Sequence, residues 1–263
     1  MKISIIGTGR VAHHLAQKLN LVGQTIVQIY GRDLVKAQAL ADRVAAQGIT
    51  DYASLQSVDL VVIAVSDSAI ADVIDKVHRY IPDSLIVHTS GSTELQVLSQ
   101  KHQRSGVFYP LQTFSLQREI DWLNTPIFVE AVVEADQQAL NDLAQQLSDR
   151  VYIYSSQQRL SLHLAAVFAC NFSNYCYDLA KQIIDQQQVD FSLLYPLMLE
   201  TAYKATQHEP QHMQTGPAMR GDKKILNLHQ AMLSQQPELQ RIYRLMSDGI
   251  MQRHHSEQSS EAF

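Results

Sequence analysis

In the first half of the chain, short runs of β-branched residues alternate with stretches in which apolar residues return every three or four positions. The runs predict buried strands at 2–6, 25–30, 59–65, 84–89, 106–109 and 126–131. The stretches predict helices, most clearly from Val11 to Val22, at 33–47 and at 68–79. Because strands that alternate with helices need crossover connections, we expect an α/β fold with a doubly wound, mainly parallel sheet covered on both faces.

The second half has a helical pattern throughout. From Gln157 to about Gln187 there is no glycine or proline, which predicts one helix of roughly 30 residues. Its apolar stripe consists of Leu160, Leu164, Phe168, Phe172 and Leu179. Further helices are predicted at 192–206, 222–233 and 237–252. We therefore expect an α/β domain at 1–153, an all-helical domain at 154–253 and a polar tail at 254–263.

Composition narrows the classes of partner. Hydrophobic residues make up 46% of the chain and charged residues 18%, which is enough for a sizeable core. A net charge of −5 argues against a nucleic-acid partner, and apolar runs far shorter than the roughly 20 residues of a membrane span argue against a membrane partner. Cys170 and Cys176 have no metal-ligand spacing around them, so we expect a cytoplasmic protein without a metal site.

A glycine loop follows the first strand directly. It reads Gly7-Thr8-Gly9-Arg10-Val11-Ala12, the pattern G-x-G-x-x-A at the start of a helix. The first glycine permits a tight turn, the second lets a diphosphate approach the backbone, and the helix start offers free N–H groups. We predict a Rossmann-type domain that binds a nicotinamide dinucleotide. The alternative is a glycine turn without a ligand.

The end of the second strand distinguishes the two nicotinamide coenzymes. Enzymes that use NAD usually place an acidic residue there, whereas this chain reads Tyr30-Gly31-Arg32-Asp33. Gly31 removes the charge that would repel a 2′-phosphate, and Arg32 offers a donor fork suited to phosphate. The pattern favours NADP(H) over NAD(H). Two alternatives stay open: Asp33 takes the acidic role, or Arg32 is only a solvated turn residue.

Polar residues after two later strands are further candidates for coenzyme contact. Val65, Ser66 and Asp67 follow the strand at 59–65, and Ser90 follows the strand at 84–89. Ligands of doubly wound sheets bind outside the carboxyl ends of the strands, where these residues are predicted to lie. Ordinary polar loops remain the alternative.

The motifs together resemble a known family. They are A-V-S-D at 64–67, H-T-S-G at 88–91, Y-P-L-Q-T-F at 109–114, H-L-A-A-V-F-A-C-N-F at 163–172 and T-G-P-A-M-R-G-D at 215–222. With the glycine loop, this set resembles a family of NADP oxidoreductases with an N-terminal Rossmann-like domain and a C-terminal helical domain of unknown function. More distantly, the layout is similar to ketopantoate reductase, pyrroline-5-carboxylate reductase and the β-hydroxyacid dehydrogenases.

The resemblance implies hydride transfer between NADP(H) and a small polar carbonyl, imine or alcohol, with a ketopantoate-like compound as one option. It also implies a homodimer that pairs through a helical domain like the C-terminal domain of 6-phosphogluconate dehydrogenase. One position departs from the family pattern, because Tyr109 precedes Pro110 where the family usually has histidine. Any proton-handling role of that histidine does not carry over to this chain.

Three residues are candidates for the chemistry. His163 and Asn171 lie eight positions apart on the predicted long helix, about 80° apart around a regular α-helix, so His163 is a candidate proton donor and Asn171 a candidate ligand for the substrate oxygen. Arg220, in the turn from Thr215 to Asp222, is a candidate clamp for a substrate carboxylate. Structural roles are the alternative for all three. For His163 and Asn171 the alternative is a buried polar network or a subunit contact; for the turn it is an Arg220–Asp222 brace or a helix cap by Asp222.

Two functions follow from different classes of protein. The favoured one is an NADP-dependent oxidoreductase acting on a small molecule. The alternative is a sensor or scaffold that binds NADP(H) without turning it over, since the glycine loop is a stronger signal than the catalytic candidates.

Overall fold

The computed structural model describes residues 1–255. One sheet of eight strands organises the first part of the chain. The strands are β1 (Lys2–Ile6), β2 (Thr25–Tyr30), β3 (Gln47–Ile49), β4 (Leu60–Ile63), β5 (Leu85–His88), β6 (Ser105–Pro110), β7 (Ile127–Ala131) and β8 (Val151–Ile153). The six predicted strands are all present, whereas β3 and β8 were not predicted.

The strand order is β3-β2-β1-β4-β5-β6-β7-β8. All neighbouring pairs are parallel except β6 and β7, which are antiparallel. The chain winds outward from β1 to β3, returns to place β4 beside β1, and winds outward on the other side. This topology confirms the doubly wound, mainly parallel sheet, and its switch point lies between β1 and β4.

The described part of the chain also contains eleven α-helices. They are α1 (Arg10–Leu21), α2 (Leu34–Ala41), α3 (Asp67–Val77), α4 (Gln96–Ser99), α5 (Glu134–Gln145), α6 (Ser156–Ala166), α7 (Ser173–Asp185), α8 (Tyr195–Gln207), α9 (Pro217–Arg220), α10 (Lys223–Met232) and α11 (Pro237–His255). Short 3₁₀ turns and a π-helical segment at Val167–Phe172 connect some of them.

The helix predicted at 33–47 is present, but it ends earlier than predicted. The α-helix ends at Ala41, a 3₁₀ turn follows, and Ala45 adopts a left-handed conformation with φ of 52°. That conformation stops the helix, so the chain enters β3. At the other end of the chain, α11 continues to His255, beyond the predicted start of the tail, and residues 256–263 lie outside the described part.

Apolar side chains cover both faces of the sheet. In β4, Leu60 and Val62 join a cluster that includes residues of α1 and α5, while Val61 and Ile63 join a second cluster that includes residues of α3. All four are at most 1% exposed. A strand buried on both faces explains why its sequence is a continuous apolar run rather than an alternating one.

The chain divides into two compact units, Met1–Phe172 and Ser173–Phe263. Helical conformation is continuous from Ser156 to Asp185 through the π segment, as the long-helix prediction expected, and the division falls inside this stretch. The predicted domain boundary at 153 coincides with the end of β8 and stays a prediction. Among the described residues of the second unit, the buried apolar side chains are Leu179, Ala218, Leu226 and Leu233.

In residues 1–255, no helix combines the length and the apolar character needed to cross a membrane.

Candidate functional site

The glycine loop lies at the switch point of the sheet. The N–H of Gly7 donates to the carbonyl oxygen of Tyr30 at 2.8 Å, and its φ is +131°, in the region that favours glycine. A Cβ at Gly7 would overlap the carbonyl oxygen of Ala64, which follows β4. The first glycine is therefore required by the close approach of the loop to two neighbouring strands.

The start of α1 fits the diphosphate of a dinucleotide. The N-cap of α1 is Gly9, so no side chain caps the helix. The first turn of α1 contains no acidic residue. A Cβ added to Gly9 would meet no heavy atom within 4 Å, so the backbone is open to approach. The free N–H groups of the first turn, which includes Arg10 and Val11, can thus bind an anion. The Val11 side chain packs against the core, whereas Arg10 is exposed.

Packing also favours glycine at position 31. A Cβ there would lie 2.8 Å from Cγ2 of Thr8 and 3.2 Å from Cβ of Ala37. An acidic side chain at the usual NAD-specific position would therefore require Thr8 and Ala37 to shift. Arg32 beside it is exposed, and within residues 1–255 it forms no ion pair.

Asp33 is used as a helix cap. Its side chain accepts hydrogen bonds from the N–H groups of Val35 at 2.9 Å and Lys36 at 3.3 Å, and it is the N-cap of α2. A carboxylate held by two backbone donors is committed to the helix. This geometry counts against the alternative in which Asp33 binds the ribose.

The loops after β4 and β5 are linked to each other. Val65 is half-buried, and Asp67 is the first residue of α3. Ser66 is the N-cap of α3, but its hydroxyl lies 3.4 Å from the Ser68 hydroxyl and does not cap the helix. The Asp67 carboxylate accepts a short hydrogen bond from the hydroxyl of Ser92. Ser90 is buried, and its hydroxyl oxygen accepts hydrogen bonds from the N–H groups of Ser92 and Thr93. The Ser90 side chain therefore shapes its own loop rather than facing solvent.

A second cluster forms around Gly91. A Cβ at Gly91 would lie 2.6 Å from Nδ1 of His163 and 2.7 Å from the hydroxyl oxygen of Tyr109. The two side chains are themselves within hydrogen-bond distance, with 3.2 Å between the Tyr109 hydroxyl and Nδ1 of His163. Tyr109 lies near the carboxyl end of β6, and His163 lies on α6. The structure therefore places the predicted proton donor beside the residue that replaces the family's usual histidine.

Two buried groups near this cluster have shifted proton affinities. Burial, with a smaller contribution from Asp67, raises the pKa of Tyr109 to about 12, while the charge of Arg159 acts in the opposite direction. Burial and the charge of Arg159 lower the pKa of His88 to about 3. At neutral pH the Tyr109 hydroxyl is protonated and His88 is neutral, with its Nδ1 accepting a hydrogen bond from the Ser90 N–H.

Asn171 is exposed and lies in the π-helical segment Val167–Phe172. The angle of about 80° between His163 and Asn171 assumed a regular α-helix, and it does not apply because a π turn changes the rotation per residue. π segments occur frequently at functional sites.

Arg220 is the last residue of α9 and is exposed. Asp222 caps α10, since its side chain accepts from the N–H of Ile225 at 3.2 Å. No ion pair between Arg220 and Asp222 is present in the described chain, so of the two structural alternatives the structure has the cap. Arg220 belongs to the second compact unit and is described there alone.

Sequence reasoning missed Gly91 and Arg159. Arg159 is 1% exposed and forms an ion pair with Glu130 of β7, with 2.6 Å between Nη1 and Oε2. The available signals were a carboxylate inside a predicted buried strand and an arginine one helical turn before His163. Each residue can be recognised in the sequence, but the sequence does not show that Glu130 and Arg159, 29 positions apart, form an ion pair.

Comparisons with known proteins identify the family and the fold. The family model described as NADP oxidoreductase, coenzyme F420-dependent, matches residues 2–91, and that of the domain of unknown function DUF2520 matches residues 125–250. A crystal structure of a Bacteroides fragilis protein assigned as an NADP oxidoreductase is 41% identical, covers 95% of this chain and 98% of its own, and has a TM-score of 0.90. The comparison with curated proteins gave no match.

More distant structures share the fold alone. An imine reductase from Streptomyces aurantiacus is 13% identical, covers 95% of this chain and 96% of its own, and has a TM-score of 0.69. The 1-pyrroline-5-carboxylate reductase from Streptococcus pyogenes is 15% identical, covers 95% and 98%, and has a TM-score of 0.63.

Proposed function

Because the chain belongs to the family of NADP oxidoreductases in which a Rossmann-type domain precedes a DUF2520 domain, we propose that it transfers a hydride between NADP(H) and a small polar carbonyl, imine or alcohol. Family membership makes the protein an oxidoreductase with a nucleotide coenzyme. The preference for NADP(H), the substrate class and the roles of individual residues are the proposed part.

The observation that carries the proposal is the shared edge of the sheet. The glycine loop follows β1, the Gly91 loop follows β5, and Tyr109 lies near the end of β6. β1, β5 and β6 run parallel in one sheet, so their carboxyl ends meet at one edge. Coenzyme-binding groups and a proton-handling pair thus occupy the same edge.

The preference for NADP(H) is supported by the end of β2. Position 31 is glycine and has little room for a side chain, Asp33 is occupied as a helix cap, and Arg32 is exposed and without an ion pair in the described chain. We assign Arg32 to the 2′-phosphate.

The proton is assigned to His163. The reduced nicotinamide supplies the hydride. In the imidazolium form of His163 both ring nitrogens carry protons; Nδ1–H donates to the Tyr109 hydroxyl oxygen, and Nε2–H is left for the oxygen or nitrogen of the substrate. When that proton is transferred, His163 becomes neutral and the substrate becomes an alcohol or amine. Asn171 is proposed to orient the substrate oxygen, and Arg220 to bind a substrate carboxylate.

We also propose a homodimer that pairs through the helical unit. Helix α8 has no buried residue, and its Leu197, Leu199 and Tyr203 are more than 60% exposed. A helix with such a surface is stabilised only when something covers it. The exposed face of α8 must be covered whenever the chain folds. A second copy of the same chain is always present at that moment, so we favour a second copy as the partner.

The place of action is proposed to be the cytoplasm. Cys170 and Cys176 are both free thiols in this structure. Free cysteines that are partly or fully exposed are compatible with a reducing compartment.

The test is NADPH oxidation with a panel of α-keto acids and cyclic imines that includes ketopantoate and pyrroline-5-carboxylate. Wild-type protein is compared with His163→Ala and with His78→Ala, a half-buried histidine at the end of α3. We expect His163→Ala to lower kcat by about 10²–10⁴-fold and His78→Ala to leave it unchanged. Full activity in His163→Ala would remove the proposed proton donor. Tight NADPH binding without turnover of any compound would favour the sensor or scaffold.

A further inference from the structure

Arg159 is the largest fully buried side chain among the described residues. Arginine is rarely buried to this degree, because its charge loses hydration and must be matched by well-placed acceptors. In a comparable volume, apolar side chains would often stabilise a fold as well or better. The location of this cation is therefore informative.

The guanidinium group joins three elements of the first compact unit. Nη1 donates to Glu130 of β7 at 2.6 Å, Nε donates to the Ser90 carbonyl at 3.2 Å, and Nη2 donates to the Thr93 carbonyl. Glu130 also accepts from the N–H and the hydroxyl of Ser156, the first residue of α6, at 3.0 and 2.8 Å. The first turns of α6 are thus bound to β7 and to the loop after β5.

The two loop carbonyls that Arg159 binds lie on either side of Gly91. Gly91 is the residue whose Cα faces Nδ1 of His163 and the Tyr109 hydroxyl. His163 follows Arg159 by four residues and so lies on the same face of α6. One side chain therefore holds both the loop and the helix that bring Gly91 and His163 together.

Arg159 also adds a positive charge beside the pair. At Tyr109 the charge of Arg159 opposes burial, which raises the pKa of the hydroxyl. At His88 burial and the charge of Arg159 both lower the pKa of the ring. The other charged groups that bear on Tyr109 and Arg159 are Asp67 of α3 and Glu130 of β7. The carboxylate of Glu130 partly offsets the charge of Arg159, so the electric field at Tyr109 and His163 depends on both Arg159 and Glu130.

We infer that Arg159 and Glu130 are positioning residues for the Tyr109–His163 pair: they hold α6 against the Gly91 loop and place one positive and one negative charge near the pair. That this positioning serves catalysis rests on the proposed function. The positioning itself is a property of the folded protein and can be measured without a substrate.

The test is an NMR titration of the ring resonances of His163 in the full chain, assigned with His163→Asn. Arg159→Met removes a positive charge, so the His163 titration midpoint should move to higher pH. Glu130→Gln removes a negative charge, so it should move to lower pH. We expect displacements of about half a pH unit or more. A purely structural role does not produce shifts of opposite sign.

The matched control is Arg104→Met. Arg104 forms a bidentate pair with the buried Asp136 in the same unit, and its recorded bonds do not involve the Gly91 loop or α6. Arg104→Met should lower the free energy of unfolding without moving the His163 titration.

If Arg159→Met does not fold, Arg159→Lys and Glu130→Gln provide the test. Arg159→Lys keeps the charge but not the fork, so the midpoint should stay near the wild-type value while the Nδ1 resonance changes as the Tyr109 contact loosens.

Unchanged His163 resonances in folded Arg159→Lys and Glu130→Gln would overturn the inference. If the variants change the His163 resonances as expected but the wild-type protein oxidises no NADPH, the result counts against the proposed function and leaves the positioning intact.

Discussion

The two compact units differ in how they bury apolar surface. The first contains two clusters of buried side chains, one on each face of the sheet, and its strands are nearly inaccessible. The second has few buried apolar residues in its described part, and leucine and tyrosine side chains of α8 face outward. The glycine loop and the Tyr109–His163 pair both belong to the first unit. The proposed coenzyme site therefore lies in the unit with the larger buried core, whereas the exposed face of α8 is the one we propose to be covered by a second copy.

The largest effect is expected at the exposed face of α8 in the second unit. Leu199→Asp should raise the dissociation constant of the proposed dimer by about 10²–10⁴-fold, since each copy loses the burial of one leucine, worth about 1.5–3 kcal/mol. Analytical ultracentrifugation over a range of concentrations measures it. Leu21→Asp, at an equally exposed leucine of the first unit, is the control and should have no effect.

A wild-type protein that is monomeric at all concentrations would refute the dimer and leave the face to another partner. Trp122, the single tryptophan, lies in the first unit and reports its folding independently. If Leu199→Asp also unfolds the first unit, the contrast between the units is wrong.

The next effect concerns the loop itself. Gly9→Ala should leave the melting temperature unchanged, because its added Cβ has no neighbour within 4 Å and the backbone at Gly9 is extended. It should weaken NADPH binding by about 10–150-fold for each hydrogen bond to the diphosphate that the methyl group displaces. Isothermal titration calorimetry measures the affinity. Gly249→Ala, equally uncrowded but in the second unit, should leave it unchanged.

Arg32→Ala tests the choice of coenzyme. Loss of a charge-assisted hydrogen bond should weaken NADP(H) binding by about 10–150-fold and change NAD(H) binding little. Affinities for both coenzymes are compared by fluorescence titration, with Arg79→Ala as a control at an exposed arginine near the end of α3. Equal weakening of both coenzymes would contradict the assignment of Arg32 to the 2′-phosphate.

The smallest effect is a pH dependence of the first unit. Folding holds His88 neutral down to about pH 3, whereas the unfolded chain protonates it near pH 6.5. The unfolded state binds more protons between these values, so the free energy of unfolding falls by about 1.4 kcal/mol for each pH unit below 6.5. At pH 5 this amounts to about 2 kcal/mol.

His88→Asn keeps an acceptor for the Ser90 N–H and removes the titration. Urea unfolding followed by Trp122 fluorescence should show that the wild type loses about 2 kcal/mol more than His88→Asn between pH 7.5 and pH 5. Equal losses would mean that His88 is not held neutral.

Local patterns predicted much of the fold. The strand at 59–65 was predicted because a continuous apolar run is typical of a strand buried on both faces, and β4 confirms it. Short elements were missed where local pattern is weak: β3 has three residues, one of them Gly48, whose place depends on contact with the backbone of Gln38. The end of α2 depended on a left-handed alanine that no propensity scale predicts.

The candidate site divides in the same way. The glycine loop was readable because a tight turn and an uncapped helix start are properties of consecutive residues. Asp33 was ambiguous in the sequence, since a carboxylate after a strand suits a ribose and a helix cap equally, and only its two backbone donors distinguish them.

By itself, the sequence determined the alternation of strands and helices, the glycine loop and the absence of an acid at position 31, because each depends on neighbours within a few residues. Only the tertiary structure decided that Gly91, Tyr109 and His163 meet and that Arg159 holds them. Tyr109 and His163 are 54 residues apart, and Arg159 and Ser90 are 69 apart. Their contact arises from the order of parallel strands and the docking of α6, which are set by the burial of the whole sheet rather than by any local pattern.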